Sequence, residues 1–290
     1  KSIYVYYIVM KIIYYYQTFV GLDKIIEDDN NIVTHIHLSS IHFGLNDNAK
    51  PYIHLNDDDP RNKKFNNVWD DLRKCKKKGI KVILMVGGAG GAYEVMFSKY
   101  SIYKTLLFDV IDKYKDVIDG IDLDVEEYIT LGNIILLIND IHLKYGSNFI
   151  ISMTPLVDSI MSNDPGMGGF SYKDLYNSIV GKHITYFNVQ CYGSFNLDNY
   201  KKMLSNGYPT EMINMGMLSS MDMDSALDTI KDIIKAGYVL GGVYNWEYYN
   251  SPPDGEKNPI TWSKEIYKAI HPKTSYIKAY FAYYISLITT

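Results

Sequence analysis

Two rhythms take turns along this chain between Lys11 and Ile270: short, nearly continuous apolar runs, and longer stretches with apolar residues three and four positions apart. The first pattern is that of strands covered on both faces, the second that of helices with one apolar stripe. Strands are predicted at Lys11–Tyr16, Ile32–Ser39, Ile80–Val86, Val117 to Tyr128, Asn148–Thr154, Ile184–Tyr192, Ile213–Leu218 and Val239–Trp246. Helices are predicted at Phe65–Lys78, about Ile102–Tyr114, Asn133–Tyr145, Tyr172–Val180, Leu197–Leu204, Ser225–Ala236 and Thr261–Ile270. In Phe65–Lys78 the stripe is Val68, Leu72 and Cys75; in Ser225–Ala236 it is Ala226, Ile230, Ile233 and Ile234. A polar loop is read over Gly44–Lys64, and a glycine-rich one from Pro155 through Gly169. Eight strand–helix units with no linker between them predict an α/β fold, a single (β/α)8 TIM barrel, with a doubly wound open sheet as the alternative.

The fourth run, VIDGIDLDVEEY, breaks the apolar pattern. Asp122, Asp124 and Glu126 sit at alternate positions and leave one face, while Ile121, Leu123 and Val125 leave the other. Three acids on a strand face ordinarily mark a solvated edge, because like charges in a core are costly. Here the apolar face demands a covering layer of helices, so the acids must open into a second, concave space. In a barrel that space lies at the C-terminal strand ends, where the polar residues collect: Asp124 and Glu126 on strand four, Gln190 and Tyr192 on six, Asn245 and Trp246 on eight. Gln190 and Tyr192 share parity with Asn188, and Cys191 faces the helices. Gly87 and Gly88 end strand three.

Composition narrows the partners. The chain has 290 residues, 47% hydrophobic, and a formal net charge of -4, which gives no electrostatic case for nucleic acid. Its one basic run, Arg73–Lys78, closes a predicted helix before Gly79, where cations favour the C-terminus. Cys75 and Cys191 form neither a disulfide framework nor a metal-ligand spacing. The glycines 87–91 lack the Lys-Ser/Thr of a phosphate cradle. His35 and His37 share a face with no third metal ligand in view, so they read as paired barrel or surface histidines, and no metal or cofactor is expected. Residues 2–20 are apolar and tyrosine-rich but are interrupted by Lys11, and neither a signal peptide nor a membrane span fits them. Met10-Lys11 reads as a natural start, making 1–9 an extension, 10–272 the barrel and 273–290 a tail. No N-x-Ser/Thr acceptor marks a secreted protein, and the compartment stays open.

The run Asp119-Gly-Ile-Asp122-Leu-Asp124-Val-Glu126 resembles the DGxDxDxE signature of glycoside hydrolase family 18, the chitinases and their relatives, and falls on the fourth strand as it does there. Met85–Gly88 (MVGG) is similar to the family's SxGG on strand three, with Met85 in place of the serine. Gln190-Cys-Tyr192 looks like the QxY ending of strand six, and Trp246 stands where the family has a tryptophan at the end of strand eight. No α+β insertion fits between strands seven and eight, which suggests the shallower-groove branch.

The resemblance implies a retaining, substrate-assisted hydrolase of β-1,4-linked N-acetylglucosamine. Glu126 would be the general acid, and the substrate's own acetamido oxygen would be the nucleophile, an exception to the two-carboxylate scheme. Asp124 would orient the acetamido group, Asp122 would exchange a proton or hydrogen bond with Asp124, and crowding in the row would hold one proton there. Tyr192 would donate to the acetamido oxygen, Gln190 would help fix that group, and Trp246 would floor the sugar. Gly88 and Asp119 complete the expected binding residues. A tryptophan is more often core than platform, and Tyr192 is one of 28 tyrosines; position at a strand end favours the first role, and parity with Gln190 the second. Glu127-Tyr128 after Glu126 keeps an endo-β-N-acetylglucosaminidase acting on N-glycans in play, and a non-catalytic sugar-binding relative is the alternative of a different class. The expected partner is an N-acetylglucosamine-containing polysaccharide or glycan, met by a monomer.

Overall fold

The computed structural model describes residues 10–271, so the expected extension 1–9 and tail 273–290 lie outside the described residues. The strands are β1 (Lys11–Tyr16), β2 (His35–Leu45), β3 (Pro51–Leu55), β4 (Lys81–Gly87), β5 (Gly120–Asp124), β6 (Ile150–Met153), β7 (Tyr186–Gln190), β8 (Ile213–Leu218) and β9 (Gly242–Trp246). All but β3 are parallel neighbours around a ring that β1 closes by pairing with both β2 and β9. This is the predicted eight-stranded barrel. Between β8 and β9 runs a single helix, Met223–Lys235, and no inserted domain.

Strand alternation sorts the interior into two cores. One parity of each strand packs outward under the helices, giving a large apolar layer that includes Ile36, Leu84, Ile121, Leu123, Ile151, Val189, Cys191 and Met215. The other parity points into the barrel, where Ile13, Tyr15, Met85, Tyr186 and Tyr244 form a smaller cluster. Helices start where a polar side chain can take an orphan backbone N–H. Thr130 accepts from Asn133 N before Leu131–Tyr145, Asn196 from Asn199 N before Leu197–Ser205, and Asp222 from Asp224 N before Met223–Lys235.

Two departures matter for the site. β2 runs on to Leu45 and folds back antiparallel onto β3, so the segment read as a polar loop begins as a hairpin. Its buried positions are only Ile53 and Leu55, and Pro51 opens the strand, a place where the missing N–H does no harm. Gly44 is needed opposite Tyr52, because a Cβ there would stand 2.9 Å from the tyrosine ring. The second departure is that β5 stops at Asp124, which puts Glu126 in the loop beyond the strand rather than on it.

Candidate active site

At the C-terminal mouth of the barrel a cleft is lined by Tyr15, Gln17, Ser40, Met85, Gly88, Asp124, Glu126, Thr154, Gln190, Tyr192 and Trp246, among others. All eight barrel strands or the loops just after them contribute, with Leu218 lining the cleft from β8, as the parallel barrel requires. A second depression, lined by Phe19, Asn56, Asp57, Lys64 and Phe65, holds an ordinary Lys64–Asp57 ion pair of 2.8 Å and no buried carboxylate row.

The three acids differ in their surroundings. Asp122 is fully buried beneath the cleft and accepts four hydrogen bonds: from Tyr15 Oη (2.7 Å), Thr154 Oγ1 (2.9 Å) and His37 Nδ1 (3.1 Å) on one oxygen, and from Ser152 Oγ (2.7 Å) on the other. Burial alone would push its pKa up; the His37 side chain and the hydroxyl donors outweigh burial and hold the carboxyl below its ordinary value. Asp124, one step higher, is also buried, but among the described residues its one side-chain donor is Gln190 Nε2 at 3.3 Å. Burial, followed by the charges of Glu126 and Asp122, pushes its pKa well above the usual carboxylate range. Of the two buried acids it is therefore Asp124 whose surroundings favour the protonated form and Asp122 whose surroundings favour the carboxylate. Glu126 is partly exposed to the cleft. Gln190 Nε2 lies 3.2 Å from Glu126 Oε1 and 3.0 Å from Thr154 O, so one amide group ties the upper two acids to strand β6.

Tyr192 and Trp246 are half-buried at the opposite wall. Tyr244 Oη donates to Tyr192 Oη at 3.3 Å, and the Trp246 ring leans on Tyr15 with centroids 5.3 Å apart. The other two tryptophans, Trp69 and Trp262, are sealed in the helix layer, so Trp246 is the indole the cleft receives. Gly88 has φ +83° and faces Asp124; a Cβ there would come within 3.4 Å of Asp124 Oδ2 and 2.9 Å of Met85 Cε.

Asp119 corrects the sequence reading. It precedes β5, roughly 15–20 Å down the strand from the cleft at about 3.3 Å per residue, and its oxygens are occupied at the foot of the barrel. Val82 N donates to Oδ2 at 3.1 Å, and Lys76 and Lys81 reach Oδ1 at 3.2 and 3.4 Å. It anchors the strand and lies outside the cleft lining. Asn245 likewise faces away from the cleft, its amide donating to Ser219 and Ser251 at 2.8 Å each.

Several residues of the site went unread in the sequence. Tyr15, Ser152, Thr154 and His37 surround Asp122 from three other strands; only inward parity could have suggested them. His37 is the inner member of the histidine pair, whereas His35 bonds its neighbour Thr34 at 2.8 Å, and among the described residues no three metal-ligating side chains meet. Two further carboxylates brace the rim. Glu127 accepts from the backbone N–H groups of Ala92 and Tyr93, pinning the glycine-rich loop after β4. Glu247, buried, accepts from Gln17 N and Thr18 N at 2.8 Å each and from Thr18 Oγ1 at 2.5 Å, joining the exit of β9 to that of β1.

The profile of Glycosyl hydrolases family 18 matches residues 11–276. Chitinase 2 of Rhizopus oligosporus is 26% identical over 229 residues, 70% of this chain but only 40% of that protein, so the chain spans less than half the length of this relative. A fungal endo-β-N-acetylglucosaminidase from glycosyl hydrolase family 18 superposes with a TM-score of 0.81 at 26% identity, covering 91% of this chain and 99% of the other. The chitinase ChiC of Aspergillus fumigatus gives 0.77 at 27% identity, covering 90% and 100%. The acidic strand, the barrel that carries it and the match along nearly its whole length agree: the chain belongs to glycosyl hydrolases family 18.

Proposed function

We propose that residues 10–272 form a catalytic barrel that cleaves β-1,4-linked N-acetylglucosamine in chitin or its oligosaccharides, with retention and by substrate assistance. The observation that carries this is the unequal row: Asp122 buried under four donors, Asp124 buried above it with one amide donor, and a partly exposed Glu126 at the cleft. Glu126 protonates the leaving glycosidic oxygen as the acetamido carbonyl oxygen attacks the anomeric carbon and the old bond breaks. Asp124 hydrogen-bonds the acetamido group and stabilises the cyclic oxazolinium ion, with Asp122 below it as the anion that balances the charge. Water then opens the ring, giving its proton to Glu126, and the product keeps the β configuration. Because Tyr244 donates to Tyr192, the Tyr192 hydroxyl hydrogen remains for the acetamido oxygen. Gln190 fixes the two acids relative to each other, and Trp246 offers its face to the sugar ring.

The second reading is an endo-β-N-acetylglucosaminidase acting on N-glycans. Its support is the superposition on the fungal enzyme of that activity at a TM-score of 0.81. Incubating the protein and its Glu126→Gln variant with chitin oligosaccharides and with a high-mannose glycopeptide, followed by anomer-resolving NMR, separates the readings. Cleavage of the oligosaccharides to β-anomer, reduced about 10²- to 10⁴-fold in the variant, is the expected result. Cleavage of the glycopeptide alone selects the second reading. Binding without cleavage of either substrate would mean a lectin and end the enzymatic proposal.

A further inference from the structure

We propose that His37 is a positioning residue of the acidic row: from β2 it holds Asp122 in the carboxylate form, so that the proton of the row stays on Asp124. This rests on the reading of the row as catalytic and adds a member to it.

The case begins at Met85. The family resemblance has a serine at this position, and the pairing of β4 with β5 sets residue 85 directly beside Asp122, with its side chain inside the barrel. A hydroxyl there would be a donor next to the carboxylate; a thioether donates nothing. Met85 Sδ instead accepts from Ser40 Oγ at 3.6 Å. The buried donor on the neighbouring strand is His37, 0% exposed, with Nδ1 3.1 Å from Asp122 Oδ2 and Nε2 3.2 Å from Tyr186 Oη. Facing it are Asp122 on β5, Tyr15 on β1 with ring centroids 4.8 Å apart, Tyr186 on β7, and His35 two residues back on its own strand.

What sets His37 apart from the other three donors is that it cannot reverse. Tyr15, Ser152 and Thr154 present hydroxyls, and a hydroxyl can rotate to accept from a protonated Asp122 as readily as it donates to an ionised one. A neutral imidazole with hydrogen on Nδ1 and Nε2 accepting from the Tyr186 hydroxyl has no acceptor to offer Asp122. Protonating Asp122 would require the ring to change tautomer and Tyr186 to turn away. His37 therefore selects the carboxylate, where the hydroxyls only tolerate it.

The test is made on the whole chain with His37→Leu, which removes the donor, and His37→Asn, whose Nδ2 can take the place of Nδ1. With chitin oligosaccharides, His37→Leu is expected to lower kcat about tenfold with KM within about threefold, and to move the acid limb of the kcat/KM profile up by about one pH unit. His37→Asn, whose amide can donate through Nδ2 but can also flip to offer Oδ1 to a protonated Asp122, should recover most of kcat and leave the acid limb shifted. Equal loss in the two variants, a change in KM alone, or an unmoved acid limb overturns the proposal. Two readouts need no turnover and so separate it from the assigned activity. In the unliganded parent, ¹⁵N NMR must show His37 protonated at Nδ1 and bare at Nε2, and ¹³C carboxyl titration, assigned with Asp122→Asn and Asp124→Asn, must show Asp122 ionising well before Asp124. A protein that cuts no sugar but passes both retains His37 in this role, and the opposite tautomer removes it even from an active enzyme. Should His37→Leu not fold, the tautomer and titration of the parent decide.

Discussion

Replacing Asp124 with asparagine should stabilise the free protein while abolishing hydrolysis, and the size of the gain follows from where the carboxyl sits. Asp124 is buried between two acids with one donor at 3.3 Å, so the folded protein keeps it protonated at a pH where the unfolded chain would ionise it. Each pH unit above the ordinary carboxylate pKa of about 3.9 makes that retention about 1.4 kcal/mol less favourable, so at pH 7 the penalty has a ceiling of about 4 kcal/mol. Asparagine is neutral at every pH and can still accept from Gln190. Allowing about half the ceiling for desolvation of its amide, we expect a gain of about 2 kcal/mol at pH 7, or about 4–8 °C in Tm for a domain of this size. The folded pKa of Asp124 is raised, so its contribution is fully present below the unfolded pKa and is lost as pH rises through the folded one. The variant must therefore lie about 2 kcal/mol below its parent at pH 3.5, where only the amide cost remains, and rise above it as pH rises. Asp122 is depressed and has the opposite sign: its contribution is present above about pH 4 and is lost as acid reprotonates it through the lower folded value. Thermal unfolding followed by circular dichroism between pH 3.5 and 8 reads both. An Asp124→Asn protein no more stable than its parent at pH 7, or equally shifted at pH 3.5, would refute the placement of the proton.

Three further perturbations test other parts of the site. Glu127→Ala leaves the Ala92 and Tyr93 amides without their acceptor, and should cost about 2–4 kcal/mol and speed hydrogen exchange at those two amides; unchanged exchange there would show that the loop stands without the clamp. Asp119→Asn should leave kcat and KM within about twofold and cost no more than about 1 kcal/mol, because Val82 keeps an acceptor and the lysine pairs are partly exposed; a rise in KM would return Asp119 to the binding residues. In Gly216→Ala the new Cβ would stand 1.9 Å from Cζ of the fully buried Tyr244, a ring with no flexible tip to yield. A loss of about 3 kcal/mol or more is expected in urea unfolding, together with a raised KM because Tyr244 supports Tyr192.

The barrel could be read from sequence because its strands are buried on both faces, which makes them apolar runs of the right length wherever they fall. The hairpin could not: β3 has one buried face, two buried residues and an initial proline, and such a strand is stabilised by its partner rather than by its own composition. Asp124, Glu126, Gln190 and Trp246 can be placed at the cleft from sequence because strand ends are where a barrel gathers its polar residues. Asp119 was misplaced by the same signature that found them, since a contiguous motif carries no mark of which end of the strand each residue occupies. Tyr15 lies in a run of three tyrosines that differ only in direction, and His37 differs from His35 only in depth along the strand. Glu127 and Glu247 act on backbone groups of loops distant in sequence, and hydrogen bonds to backbone leave no trace in side-chain pattern.

The Glu247 clamp has a consequence for how the molecule is made. It fastens the last strand to the first, alongside the Tyr248 N–H that donates to Tyr15 O at 2.9 Å and the Lys11 N–H that donates to Gly241 O at 3.0 Å. A chain leaving the ribosome thus carries its acidic row more than a hundred residues before the tryptophan that faces it. Until β9 arrives, β1 and β8 each present an open row of N–H and C=O groups, the kind of edge on which stray strands pair. The window between the emergence of β8 and the closing of that seam is where nascent copies would join one another, and where a chaperone would have most to shield.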